Sequence, residues 1–262
     1  MEKSKSASLI KRIMTSLVLI PVVVWCLFGG QEMVAVLALS VAALLSWEWA
    51  NMMPTKATSA YALSYFFAAV IATLFNDLSL SASVVIALLL LIGWRHRDEK
   101  ELFLKLLGIP YIAIGIGSIM ALYNTYEVKV VLWYIVAVWA VDTGGYLFGS
   151  TLRGPKLAPK ISPNKTWAGL FGGMLLAVGI TFGACWFMAG KDYWVNAVIL
   201  AALLTIIAQI GDLAESAIKR RLKIKDSSDL IPGHGGVFDR VDGLIFAAPF
   251  AWWLLKILKV VF

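Results

Sequence analysis

Long apolar runs, broken at intervals by short charged or turn-rich stretches, dominate this chain. Runs bounded by charges or turn residues predict membrane-spanning helices at 13–29, 33–50, 60–76, 82–94, 108–124, 129–149, 167–189, 194–215 and 242–258. The opening MEKSKSASLIKR followed by an apolar run looks superficially like a secretory signal. Trp25 and Phe28 stand where a cleavage site needs small residues, so the run is read as the first span. The pattern predicts an all-α, polytopic integral membrane protein with nine transmembrane helices. Residues 1–124 hold helices one to five, and residues 125–262 hold helices six to nine with the charged loops.

Composition agrees with the pattern. Of 262 residues, 60% are hydrophobic and 15% charged, and the mean hydropathy is +0.82. Nine spans of about 20 residues leave about 80 for loops and ends, too few for a separate soluble domain. Disordered, coiled-coil and disulfide-scaffold classes are excluded by the same arithmetic. The net charge of +7 fits nucleic acid, anionic lipid or an anionic substrate, and positive-inside anchoring is its simplest cause. With the N-terminus cytoplasmic and each span crossing once, 19 of the 23 basic residues fall inside. Only Lys129, Lys191, Lys256 and Lys259 fall outside. Nucleic acid is therefore not expected as a partner.

The metal chemistry open to the chain is narrow. Cys26 and Cys185 lie in apolar runs without a CxxC pair, and His96 and His234 are the only histidines. A metal, if used, is then a hard cation on carboxylates, with Mg²⁺ first. There is no P-loop and no dinucleotide fingerprint; Gly145-x-x-x-Gly149 and Gly169-x-x-x-Gly173 are read as close-packing helix faces.

Acids at or within spans are costly unless partnered, and there are four: Glu48, Asp142, Asp212 and Glu215. Glu48, between Trp47 and Trp49, reads as an interfacial anchor rather than a catalytic group. Asp212, Ser216 and Lys219 share one helix face, while Glu215 and Lys219 are spaced for a salt bridge. All four acids fall on the side of the large basic loops.

The loop 219–240 interleaves Lys219, Arg220, Arg221, Lys223, Lys225 and Arg240 with Asp226, Asp229 and Asp239, and Asp242 follows. Anchoring needs only the cations; the added carboxylates suit a metal beside phosphates. Gly233, Gly235 and Gly236 around His234 let backbone N–H groups approach anionic oxygens, although a flexible turn would also use them. A second basic loop, R-G-P-K-L-A-P-K-I-S-P-N-K-T-W, lies at 153–167. Together the loops suggest phosphate chemistry at the cytoplasmic face.

The stretch Ser216-x-Ile218-Lys219-Arg220, then Lys225-Asp226-x-Ser228, then Ile231-Pro232-x-His234-Gly235-Gly236-Val237-x-Asp239-Arg240-Val241-Asp242 resembles the signature of the phosphatidate cytidylyltransferases. Asp142-Thr-Gly-Gly-Tyr146, Ser162-Pro163-Asn164-Lys165-Thr166 and Gly211-Asp212 resemble the same family. The first five spans match it only in being hydrophobic. The resemblance implies transfer of CMP from CTP to phosphatidic acid, giving CDP-diacylglycerol and pyrophosphate, in phospholipid biosynthesis. It implies Mg²⁺, with room for a second cation, held by Asp212 and Asp239, with Asp142 a third ligand or a group just behind them. Lys219 is placed with Asp212, Asp239 and His234 in the catalytic set, His234 either touching phosphate or moving a proton. Ser162, Asn164, Lys165, Ser216, Arg220, Lys225, Asp226, Arg240 and Asp242 are implied as substrate-binding. It further implies a homodimer, and the compact length is similar to bacterial members, hence an inner (cytoplasmic) membrane location with the site facing the cytoplasm. The rivals are a CTP-dependent lipid-alcohol kinase and, from another class, an ion-coupled transporter.

Overall fold

In hydrocarbon a backbone must satisfy its own N–H and C=O groups, so apolar segments of this length become helices. A computed structural model describes residues 2–75, 78–188, 194–231, 233 and 235–259. Its helices are α1 (Glu2–Phe28), α2 (Gln31–Met52), α3 (Thr58–Leu74), α4 (Leu78–Arg95), α5 (Leu102–Thr151), α6 (Trp167–Met188), α7 (Trp194–Arg221) and α8 (Phe238–Leu258). Two short antiparallel strands, β1 (Lys156–Ala158) and β2 (Ser162–Thr166), lie between α5 and α6. The chain is thus an all-α polytopic membrane protein, with this hairpin its departure from helix. Among the described residues six segments are long and apolar enough to span: Gln31–Met52, Leu102–Tyr126, Val128–Thr151, Trp167–Trp186, Trp194–Arg221 and Phe238–Leu258. Leu17–Phe28, Thr58–Leu74 and Ser79–Arg95 are shorter apolar helices.

The spans expected at 108–124 and 129–149 are present as Leu102–Tyr126 and Val128–Thr151, but one helix carries both. α5 runs unbroken for 50 residues, about 75 Å at 1.5 Å per residue. The stretch Asn124-Thr125-Tyr126-Glu127-Val128-Lys129 is polar, but it contains neither glycine nor proline. Polarity ends a hydrophobic run; it does not end a hydrogen-bond ladder. Real breaks come where the backbone demands them, at Gly30 (φ +93°) and at Arg153-Gly154 (φ +55° and +97°).

The helices form two units, one up to Ala121 together with Leu222–Val241, the other Leu122–Arg221 with Asp242 onward. In the first, α2 and α3 pack on the start of α5. Trp49 Nε1 donates to Leu104 O (3.0 Å) and Tyr65 OH to Lys105 O (2.7 Å). Both rings are fully buried, and Gly108 leaves room for them, since a Cβ there would sit 2.8 Å from the Trp49 ring. The α4–α5 turn is closed by Glu99, which meets Lys105 Nζ at 2.7 Å and His96 Nδ1 at 2.9 Å. Burial raises the pKa of Glu99, but the hydrogen bonds from Lys105 and His96 outweigh it and hold the carboxyl below its ordinary 4.5.

In the second unit α5 and α6 meet backbone to backbone. A Cβ on Gly144 would lie 2.7 Å from Gly172 O, and one on Gly169 2.7 Å from Gly145 O. This is the close packing expected of the two small-residue faces. The start of α7 is tied to the end of α8 by Asn196 Nδ2 donating to Leu258 O (2.8 Å).

Candidate active site

In the first unit, residues 222–237 lead from α7 into α8. Ile231 N–H donates to Gly235 O (2.8 Å), a tight turn that holds Gly235 in the left-handed region at φ +84°. The Asp239 carboxylate accepts from Gly236 N (2.8 Å) and Ser227 N (3.0 Å). Glu48 of α2 is 0% exposed. It accepts from Phe238 N (2.6 Å), Val237 N (2.8 Å), Ser228 Oγ (2.5 Å) and Ser227 Oγ (3.4 Å). Two otherwise orphaned N–H groups at the start of α8 are thereby satisfied, and the positive end of that helix faces a carboxylate.

Two readings change here. Glu48 is not an interfacial anchor; it is a buried acceptor on which this loop closes. The glycine-rich turn brings N–H groups to anionic oxygens as its composition suggested, but these oxygens belong to the protein. Gly236 N serves Asp239, and Val237 N and Phe238 N serve Glu48. Lys225, Asp226 and Arg240 are exposed. His234 and Pro232 lie outside the described residues.

The second unit gathers acids of a different kind. On α7, Asp212, Glu215, Ser216 and Lys219 fall on one face, as the spacing predicted. Carboxylate oxygens of Asp212, Glu215 and Asp242 lie within 4.8 Å of one another. Lys165 of β2 pairs with Asp212, and Lys219 Nζ meets Glu215 Oε1 at 2.8 Å. Ser216 Oγ donates to Asp212 Oδ1 at 3.4 Å. Asp142 of α5 is exposed and, like Lys165, acts on the charge of Asp242.

The hairpin explains how Lys165 arrives. Thr166 Oγ1 accepts from Gly169 N (3.0 Å), capping α6, so β2 runs directly into the helix. Arg220 Nε donates to Ile161 O (3.3 Å), tying the end of α7 to the turn of the hairpin. Ser162 is half-buried and Asn164 exposed on the same strand as Lys165.

Of the sequence-predicted residues, Asp212, Lys165, Ser216, Lys219 and Asp242 come together in the second unit, with Asp142 acting on the charge of Asp242. Asp239, Arg240, Lys225 and Asp226 belong to the first unit. Glu215 joins the cluster at 3% exposure, and its spacing from Asp212 was the signal for it. Glu48 carried only a weak signal, the cost of an acid inside an apolar run.

The pattern of the "Cytidylyltransferase family" matches residues 10–258. The chain is 33% identical over 245 residues to the phosphatidate cytidylyltransferase of Brucella suis biovar 1 (strain 1330), covering 90% of this chain and 89% of that protein. It is 32% identical over 281 residues to the phosphatidate cytidylyltransferase of Haemophilus influenzae, covering 92% and 96%. A segment of 124 residues is 44% identical to the Mycobacterium leprae phosphatidate cytidylyltransferase, covering 47% of this chain and 39% of that one.

Proposed function

This chain belongs to the cytidylyltransferase family, and on that premise we propose that it transfers CMP from CTP to phosphatidic acid. A phosphate oxygen of the lipid attacks the α-phosphorus of CTP. The bond from that phosphorus to the bridging oxygen breaks, and pyrophosphate leaves as CDP-diacylglycerol forms. The observation that carries the reading is the cluster of Asp212, Glu215 and Asp242 with Lys165 and Lys219. Two anions must meet for this reaction, and little covalent help is required beyond positioning and charge neutralisation.

The cluster is an all-oxygen donor set at the end of an apolar helix, which fits a hard divalent cation such as Mg²⁺. Asp212 and Asp242 would hold it, with Glu215 beside them steadied by Lys219. When bound, such a cation neutralises phosphate charge and stabilises the leaving oxygen. The chain's own part is orientation. Lys165 sits on a strand whose end is capped into α6, so its ammonium is held at one place beside Asp212. Lys219 approaches Glu215 from one turn further along α7, toward the loop. Lys225 and Arg240, exposed in the first unit, are free of burial cost and suit nucleotide phosphates. Asp239, held by the N–H groups of Gly236 and Ser227, is a candidate for phosphate or cation contact.

The side of the membrane follows from charge. The stretches 153–165 and 219–240 together hold ten Lys and Arg, whereas on the other side of these spans the sequence holds Lys191, Lys256 and Lys259. That bias supports a cytoplasmic site in the inner membrane of a bacterium.

The test is product analysis with purified protein, CTP and Mg²⁺. Pyrophosphate and CDP-diacylglycerol appearing only with phosphatidic acid is the expected result. CDP appearing with a polyprenol would instead mean transfer of the γ-phosphoryl group, and the reading would fail.

A further inference from the structure

An ionised carboxylate buried in a membrane helix costs several kcal/mol unless donors replace its lost water. Glu48 has four such donors, and all of them come from residues 227–238, 179 to 190 positions away in the chain. Its exposure is 0%, so no substrate reaches it. Its effect has to pass through what it holds.

What it holds is the setting of Asp239. Ser227 donates its hydroxyl to Glu48 and its N–H to Asp239. Gly236 donates its N–H to Asp239, and the next two N–H groups go to Glu48. Two acids therefore share one short frame of donors, the buried one closing it from below and Asp239 oriented by it. The frame leaves no slack. A Cβ on Gly236 would lie 1.9 Å from Ser227 Oγ and 2.6 Å from Glu48 Oε1, and one on Gly235 2.7 Å from Asp239 Oδ2. Real Cβ atoms do not sit at such distances from oxygen, so glycine at 236 is required by the closed frame.

We propose that Glu48 is a positioning residue for the transfer reaction, acting through Ser227, Ser228 and the start of α8 to hold Asp239 and Arg240 in their working orientation. This rests on the reaction proposed above. Hydrogen-bond partners of site carboxylates typically matter at the level of about 10- to 100-fold in activity. A simple packing residue at the same place would change stability and leave the turnover of the folded fraction alone.

Glu48→Gln keeps the shape and turns one acceptor into an NH₂ group that faces N–H donors. The expected result is folded protein whose kcat falls by about tenfold or more. Combined with Asp239→Asn, it should add little further loss, because both changes act through one frame. Near-normal kcat in folded Glu48→Gln, or losses that multiply with those of Asp239→Asn, would overturn the proposal. If Glu48→Gln does not fold, Ser228→Ala decides, since it deletes one donor without stranding a charge. It should lower kcat and be masked by Asp239→Asn in the same way, and unchanged kcat refutes the idea. A wild-type protein inactive with CTP and phosphatidic acid would defeat the reaction, not the frame. The readout then is trypsin cleavage after Lys223 or Lys225, which should accelerate in Glu48→Gln and Ser228→Ala; equal rates in both would sink the frame itself.

Discussion

The two acid-bearing regions use carboxylates in opposite ways. Glu48 accepts from neutral donors, backbone N–H groups and serine hydroxyls, and Asp239 accepts two backbone N–H groups of the same loop. Around Asp212, Glu215 and Asp242 the neighbours are other carboxylates and two ammonium groups. Neutral donors can be supplied in fixed number by a tight turn, and they convert a charge into a structural joint. Carboxylates crowded together raise the energy of the folded state, and such crowding persists where a cation relieves it. A carboxylate's neighbours, more than its burial, distinguish a joint from a reactive site: Glu48 and Glu215 are both almost fully buried, yet only Glu215 faces other acids.

The sharpest way to break this contrast is to remove charge from the crowded region. Asp212→Asn and Asp242→Asn should each lower pyrophosphate release by about a hundredfold or more, with helical content by circular dichroism unchanged. Turnover near wild type in both would reassign the cluster to structure. Cations come next. Lys165→Met should raise the KM for CTP and lower kcat/KM by about tenfold or more, since it removes a fixed charge beside the acids. An unaffected steady-state profile would make the Lys165–Asp212 pair a simple brace.

A glycine pair separates joint from packing. Gly236→Ala must push a methyl into Ser227 and Glu48, and Gly144→Ala must push one into the backbone of α6. Overpacking of this kind costs about 1–3 kcal/mol. In Gly144→Ala the loss should appear as a lower thermal midpoint in detergent with turnover per folded molecule retained. In Gly236→Ala it should appear chiefly as lost turnover. The smallest effect concerns Glu99, whose folded pKa is depressed. Its contribution to stability is present above the ordinary carboxyl range and is lost as pH falls through the lower folded value. Acid titration of the unfolding midpoint should accordingly be shallower in Glu99→Gln than in wild type below about pH 4.5.

Much of the chain was legible before any coordinates. Apolar runs, the Gly145–Gly149 and Gly169–Gly173 faces, and the shared face of Asp212, Ser216 and Lys219 follow from local rules of period and composition. So did the chemical class, because the loop 219–242 mixes cations and acids in a way that anchoring does not need. The two spans at 108–124 and 129–149 were legible too, but the single helix that joins them was not, because hydropathy reports where lipid stops and not where a helix stops.

The polytopic, helical form and the α7 face shared by Asp212, Ser216 and Lys219 were settled by the sequence itself. Lipid leaves the backbone one solution there, and a period of 3.6 residues does the rest. Tertiary structure alone decided that Lys165 meets Asp212, that Asp242 joins Glu215, and that Glu48 receives the N–H groups of Val237 and Phe238. Each of these pairings joins residues distant in sequence, and local periodicity does not specify which distant donor a buried acid will find. That choice belongs to packing, where a charge removed from water must take the donors that the folded chain brings to it.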